Sequence, residues 1–407
     1  MDGSDTPVPS GLALTALDPI FRENPSAVLD VLRSREPVHK DRTFDRVVLT
    51  SAADVSSALN DRTLSSDPLK SRPGSFSRVV LGIDEKFVPS MLFLDDPDHK
   101  RLRDLVAKAF TVQAVEGMRS RIQQIADRLL DAVAGQSSFD VVEAYAKPLP
   151  TVVIAVMLGV NENDQASFKR WSDERVHLLN PHRTPEQAKA LAHSLEAISA
   201  YVLKMIEERR NNRGTDLISR LISVEESGEQ LTVPEIVKIC HLLMVAGNAT
   251  TTDLLSNGVL ALLQHPDELE RLRARPELIC SVVEEVLRYD SPVTQMERVS
   301  VQGRTISGVN VEAGQTISCS LYAANRDPAI NPDPAVFNSQ RDDRHHYSFG
   351  GGAHFCLGAP LARVEAQIGL LTLFQRFPRI RLSPALRPVR KSVPAFNGFA
   401  SLHVEVG

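Results

Sequence analysis

Cysteine is scarce in this chain: four residues in 407, Cys240, Cys280, Cys319 and Cys356, with no CxxC pair among them. That spacing gives no zinc ribbon and no redox dithiol, and scattered thiols suit a reducing cytoplasm. Long apolar runs are missing too. The most apolar stretch, Thr151 to Val160, is half of the roughly 20 residues a membrane-spanning helix needs. The N-terminal MDGSDTPVPS carries no basic-then-apolar leader. There is no excess of positive charge. A formal net charge of −5 argues against a generic nucleic-acid partner. Neither GxxxxGK[ST] nor GxGxxG occurs, so no nucleotide-phosphate loop is signalled. Repeats and Ser/Gly linkers are absent. The expectation is a cytoplasmic protein without a membrane anchor, with a flexible segment at 1–18 and a single domain at 19–407.

What is present reads mainly as helix, with small antiparallel β-sheets to one side. NPSAVLDVLRSR opens on an Asn24 cap with Pro25 in the first turn. Helical spacing recurs from Asp96, over Gly117 to Gly135 and over Pro150 to Gly159. It appears twice more between Asn161 and Arg213, with a break at NPHRTP. RVVLT near Arg46, the alternating stretch from Glu297 to Cys319, LRPVRKSV and FASLHVEV read as strands.

The strongest helical signal runs from Leu231 to Pro266. Thr232 and Glu235 form a capping box, and Pro234 lies in the first turn. Its middle, Ala246 to Thr252, is small and polar between apolar halves. A mid-helix glycine costs about 1 kcal/mol relative to alanine. Two readings account for Gly247: another element crosses there, or a flat ligand approaches closely.

The stretch FGGGAHFCLG, Phe349 to Gly358, places a thiol in a glycine-rich loop just before a helical pattern with Pro360 in its first turn. Unpaired amides at a helix start stabilise a thiolate. Glycines let a backbone pass close to a planar group, and Phe349 and Phe355 are expected to keep water from the sulfur. A lone thiolate makes neither a zinc nor an iron–sulfur site, but it does make an axial haem ligand.

With these residues in place the chain resembles the cytochrome P-450 superfamily. Phe349, Gly352, His354, Cys356 and Gly358 match the haem-loop pattern F-x-x-G-x-[HR]-x-C-x-G, and Glu285 with Arg288 match E-x-x-R. Arg341 matches its third partner. The resemblance extends from about Pro19 to the end and is nearest to the soluble bacterial branch. It implies the cytochrome P-450 fold, with the long central helix over a haem b. Cys356 is then the metal ligand. Cofactor contacts fall on His99, Arg103, Ala246, Gly247, Arg298, Phe349, Gly350, His354 and Gly358, of which His99, Arg103, Arg298 and His354 would hold the propionates. Glu285, Arg288 and Arg341 are expected to be structural. The implied reaction is monooxygenation: one atom of O2 enters a C–H bond of a hydrophobic small molecule, with two electrons and two protons consumed.

The family's A-G-x-[DE]-T pattern is met here by Ala246, Gly247, Asn248, Ala249 and Thr250, so alanine replaces the acid. Thr250, Ala249 and Asn248 are the candidate catalytic positions, and Ala249 cannot relay a proton. Peroxide-driven turnover is the alternative, and a non-catalytic haem-thiolate sensor is a further one. Electrons are expected from a ferredoxin and its NAD(P)H-dependent reductase, with Arg101, Lys108, Arg344 and Arg363 as a basic docking patch. By family position the pocket takes Ser77 to Leu92, Leu243, Met244, Gly247, Val293, Thr294, Gln295, Phe396 and Asn397. Lys169, Arg170, Arg175 and Arg183 are read as a solvated face of the lid helices.

Overall fold

The computed structural model describes residues 8–83, 87–175, 178, 183–226, 231–342 and 344–407. Chain contacts divide it into two compact units. Unit one takes residues up to Phe87, Glu284–Cys356 and Arg390–Gly398; unit two takes Val88–Val283, Leu357–Val389 and Phe399–Gly407. Three earlier expectations fall partly outside the described residues: the tip of the N-terminal segment (1–7), part of the pocket loop (84–86) and part of the NPHRTP break (180–182).

Unit one is built on a five-stranded sheet in the spatial order Val38–Asp41, Arg46–Leu49, Thr316–Ser320, Gln295–Ser300, Leu64–Ser65. Valine, isoleucine and threonine fill the inner strands, where branched side chains suit a buried pleat. Every pairing is antiparallel except one. Arg46–Leu49 runs parallel to Thr316–Ser320, as two strands so far apart in sequence can, since no tight turn joins them. A hairpin pairs Arg304–Ile306 with Val309–Val311. Its turn residues Ser307 and Gly308 both have positive φ, 45° and 83°, the twist that two-residue hairpins need.

One face of this sheet buries Val47, Leu49, Ile317, Cys319 and Leu321 against Val55 and Leu59 of the helix Ala52–Asn60. The helix Pro25–Arg35 starts as its sequence announces, with the Asn24 side chain accepting from Ala27 N–H at 3.2 Å. Leu14 and Phe21 pack into the same cluster as its Leu29 and Leu32. The expected flexible segment therefore does not extend over residues 11–18: Gly11–Leu14 forms a short 3-10 turn with a buried Leu14.

Unit two is organised by the central helix Val233–Gln264, 32 residues long, or about 48 Å at ~1.5 Å per residue. Glu235 accepts from the Thr232 N–H at 2.8 Å and from its hydroxyl at 2.9 Å. Beyond Thr250 the helix is buried continuously to Leu262, with each buried leucine contributing roughly 1.5–3 kcal/mol. Two helices cross it where side chains are missing. A Cβ on Gly247 would sit 2.8 Å from Ile154 of Pro148–Leu158. One on Gly258 would sit 2.8 Å from Leu370 of Ala359–Arg376, and one on Gly369 would sit 2.7 Å from Leu255. At Gly247 another helix does cross, as the first of its two readings expected.

The helices Gln165–Arg175 and Pro185–Asn211 meet through the Trp171 and Tyr201 rings, 5.7 Å apart. A three-stranded antiparallel sheet, Ser138–Asp140 with His403–Glu405 and Arg381–Leu382, completes the unit. Among the described residues no helix is long and apolar enough to cross a membrane.

Candidate active site

In unit one, residues 344–351 form an irregular segment tied down by hydrogen bonds to buried partners. Asn325 Oδ1 accepts from Tyr347 N–H at 2.6 Å, and its Nδ2 donates to Ser348 Oγ at 2.8 Å. The Ser348 hydroxyl donates in turn to Leu287 C=O at 2.6 Å, and Asn331 Nδ2 donates to His345 C=O at 2.9 Å. Asn325, Asn331 and Ser348 were not anticipated; the only hint in the sequence is a run of polar residues inside buried surroundings.

After this segment the chain turns tightly. Gly350 has φ 70° and would place a Cβ 2.8 Å from Met296 Sδ. The backbone then closes by Cys356 N–H donating to Phe349 C=O at 2.9 Å, and His354 ends a short 3-10 turn begun at Gly352. Gly358 caps the helix Ala359–Arg376, with Pro360 in its first turn, so the thiol precedes a helix start as expected. Cys356 is exposed, whereas Cys240 and Cys319 are buried and burial pushes their thiols up to about 12. Phe355 is itself 43% exposed, its ring tilted against that of Phe349 at 6.2 Å, and Cys356 remains exposed beside it.

Gly352 makes the tightest approach. Its φ is +62°, and a Cβ there would lie 2.2 Å from the backbone oxygen of Leu59. That atom cannot rotate away. Gly352→Ala is expected to cost at least about 1–2 kcal/mol from the left-handed conformation alone, plus the clash. The check is a lowered melting temperature together with a reduced cofactor-to-protein absorbance ratio. A variant matching its parent in both would show that the loop yields freely.

Glu285, Arg288 and Arg341 are brought together as the sequence implied. Glu285 accepts from Arg288 Nε at 2.7 Å, Arg288 Nη2 at 2.8 Å and Arg341 Nε at 3.2 Å. Glu285 and Arg288 are fully buried. Arg298 lies on the strand Gln295–Ser300, 4% exposed. Val293 bridges to Phe396, both half-buried. The Thr294 hydroxyl is buried without a hydrogen-bond partner among the described residues. Asn397 is tied to Asp290 at 2.6 Å and is structural.

Unit two carries the other candidates. His99 and Arg103 stand one turn apart on the helix Asp98–Ala107. Burial, opposed by the Asp96 bond and reinforced by Arg103, holds His99 below its usual range. On the central helix Ala246 is exposed and Thr250 half-exposed, one turn apart with buried Asn248 and Ala249 between them. The Thr250 hydroxyl donates to Ala246 C=O at 2.8 Å. Ala249 is 7% exposed. Leu243 and Met244 belong to the core, at 8% and 1%.

Three expectations are corrected. Asn248 is no relay: it is buried and its Nδ2 donates to Ser172 Oγ at 2.6 Å, strapping the central helix to Gln165–Arg175. Arg101 is not a free docking cation, being bound to Glu235 at 2.6 Å. Arg175 is not on the solvated face, being only 6% exposed.

Each unit carries groups whose chemistry fits a haem. In unit one an exposed thiol follows a glycine turn; in unit two small residues open on a buried helix, and each unit has cations that suit propionates. The family model for cytochrome P450 matches residues 43–390. The polyketide biosynthesis cytochrome P450 PksS of Bacillus subtilis is 38% identical over 95% of this chain and 96% of its own length. The 6-deoxyerythronolide B hydroxylase of Saccharopolyspora erythraea is 38% identical over 86% of this chain and 88% of its own. Among solved structures, P450BioI in complex with an acyl carrier protein ligated to hexadec-9Z-enoic acid superposes with a TM-score of 0.85. It is 34% identical, and the match covers 95% of this chain and 99% of that one.

Proposed function

The chain belongs to the cytochrome P450 family and is therefore a haem-thiolate monooxygenase, and we propose that Cys356 supplies its thiolate, that its substrate is an apolar small molecule and that a ferredoxin delivers its electrons. Membership makes it an oxidoreductase that binds haem b, which sets aside the sensor reading. The observation that carries the assignment of Cys356 is its place: an exposed thiol between a left-handed glycine turn and a helix start.

Bound haem supplies dioxygen activation and oxygen insertion. The protein's own residues do the rest. In unit one Arg298 and His354 would hold a propionate; in unit two Arg103 would do so as a cation, and His99, held below its usual range, as a hydrogen-bond donor. Thr250 holds its hydroxyl proton on Ala246 C=O, leaving an oxygen lone pair to accept a bond from water or substrate. Two relatives' names speak of polyketides and of 6-deoxyerythronolide B, and a structural neighbour holds a hexadecenoic acid. These names support an apolar substrate.

Ala249 gives proton supply a different character. A buried methyl stands where the family carries an acid, so protons reach Thr250 by water or another route. Ala249→Asp is expected to raise the fraction of electrons recovered as product severalfold in a ferredoxin-driven assay. Unchanged coupling would show that the missing acid is not limiting. The same alanine favours a second reading, turnover on hydrogen peroxide. Product formation with ferredoxin, reductase and NAD(P)H, set against product formation with peroxide alone, separates the two.

A further inference from the structure

His346 lies in the segment before Cys356 and is neither a propionate ligand nor a pocket residue. Its side chain is only 4% exposed, and both ring nitrogens are engaged. Nδ1 accepts from the Ser348 N–H at 3.3 Å. A backbone N–H can only donate, so Nδ1 is bare and the ring proton sits on Nε2. Nε2–H then donates to Glu284 Oε2 at 3.0 Å. Glu284 stands beside Glu285 on the helix Ile279–Tyr289, so adjacent carboxylates of one helix serve two stretches of chain. Glu285 holds Arg288, Arg341 and the Asn338 N–H, while Glu284 reaches the cysteine segment. All of these residues belong to unit one.

The imidazole also meets the residue whose carbonyl closes the cysteine turn. The His346 and Phe349 rings are 5.9 Å apart and tilted by 52°. Ser348, held at its N–H by His346 and at its hydroxyl by Leu287 C=O, immediately precedes Phe349. The Phe349 C=O in turn accepts from Cys356 N–H at 2.9 Å. The imidazole thus steadies Phe349 from two sides, through ring packing and through the backbone before it. Glu284 locks the tautomer that leaves Nδ1 open to Ser348, as partners behind a ligand commonly do.

We propose that Glu284 and His346 are positioning residues for the Cys356 thiolate. They hold the Ser348–Phe349 backbone so that the Phe349 carbonyl keeps the Cys356 N–H engaged and away from the sulfur. This rests on Cys356 being the haem ligand. An N–H turned toward a ligating sulfur stabilises the added negative charge of the reduced centre, so releasing it raises the reduction potential.

The test is a spectroelectrochemical titration of the holoprotein, reading the ferric–ferrous potential, with the ferrous carbon monoxide band as the check on ligation. His346→Phe keeps a ring against Phe349 and removes both hydrogen bonds. Its potential is expected to rise by at least about 59 mV, a tenfold shift toward the reduced form. Glu284→Leu should shift it in the same direction, and the double variant should go no further than His346→Phe, because the two residues act as one unit. His346→Asn should stay within about twofold of the parent in the same equilibrium, since its Oδ1 can accept from the N–H two residues on. A merely structural role would lower melting temperature and haem content but leave the potential of the remaining haem unchanged, and that result overturns the proposal. So does a double variant that shifts by the sum of the two, or a His346→Asn shift as large as that of His346→Phe. If His346→Phe takes up no haem, uptake becomes the readout: haem content restored in His346→Asn supports the proposal, and an equally empty His346→Asn overturns it. A parent without the thiolate band is a failure of the ligand assignment itself, and the proposal falls with it.

Discussion

Glu285→Gln is expected to leave a protein that retains little haem and has lost about 3–5 kcal/mol, the range for breaking a buried charge pair by removing one partner. The wild-type carboxylate accepts from Arg288 twice, from Arg341 and from the Asn338 N–H at 2.7 Å. Glutamine turns one of those acceptors into a donor facing donors and leaves two arginines without their counter-charge. The damage should spread along the backbone. Arg288 also donates to Pro334 and Val336 carbonyls at 3.0 and 3.1 Å, and Arg341 donates to those of Pro332, Asp333 and Val336. Residues 332–338 are thereby fixed a short way ahead of the cysteine segment. Thermal unfolding and the ratio of haem to protein absorbance are the measurements. A variant with parental haem content and melting temperature would sink this account of the network.

Cys356→Ser addresses ligation directly. Removing groups that merely orient a metal ligand costs roughly 10–100-fold in affinity or activity, so removing the ligand should exceed about 100-fold in product formed per haem. The ferrous carbon monoxide spectrum reports the cause independently of activity, because only a thiolate gives its characteristic long-wavelength band. Cys280 is also exposed and provides the control: Cys280→Ser should alter neither the band nor turnover. A thiolate band surviving in Cys356→Ser would assign the ligand elsewhere.

Local signals carried the sequence reading well. The Asn24 cap, the Thr232–Glu235 start and the alternating strands between Glu297 and Cys319 each depend on residues within a few positions of one another. So do Glu285 and Arg288. What was illegible depends on distant partners. Arg46 opens an apolar strand, and nothing adjacent in sequence signals its partner. In the fold it is fully buried, bonded to Asp41 at 2.9 Å and stacked over Phe76 at 3.8 Å. Asn248 resembled part of a proton path because its partner, Ser172, lies 76 residues away. Arg175 has the inward spacing of its helix, yet charge made it look solvated. The parallel strand pairing in unit one joins segments some 270 positions apart, beyond any local pattern.

The ties around Asn325 change what kind of loop precedes Cys356. Irregular segments generally absorb insertions and deletions during evolution, since they run over the surface and bind few buried groups. Residues 345–352 cannot. Each extra residue advances the chain by up to about 3.8 Å, which would carry Tyr347 past Asn325, Ser348 past Leu287 and Gly352 past Leu59 in a single step. Length in this stretch is frozen by hydrogen bonding rather than by secondary structure. Engineered tags, chain breaks and permuted termini belong elsewhere in the protein.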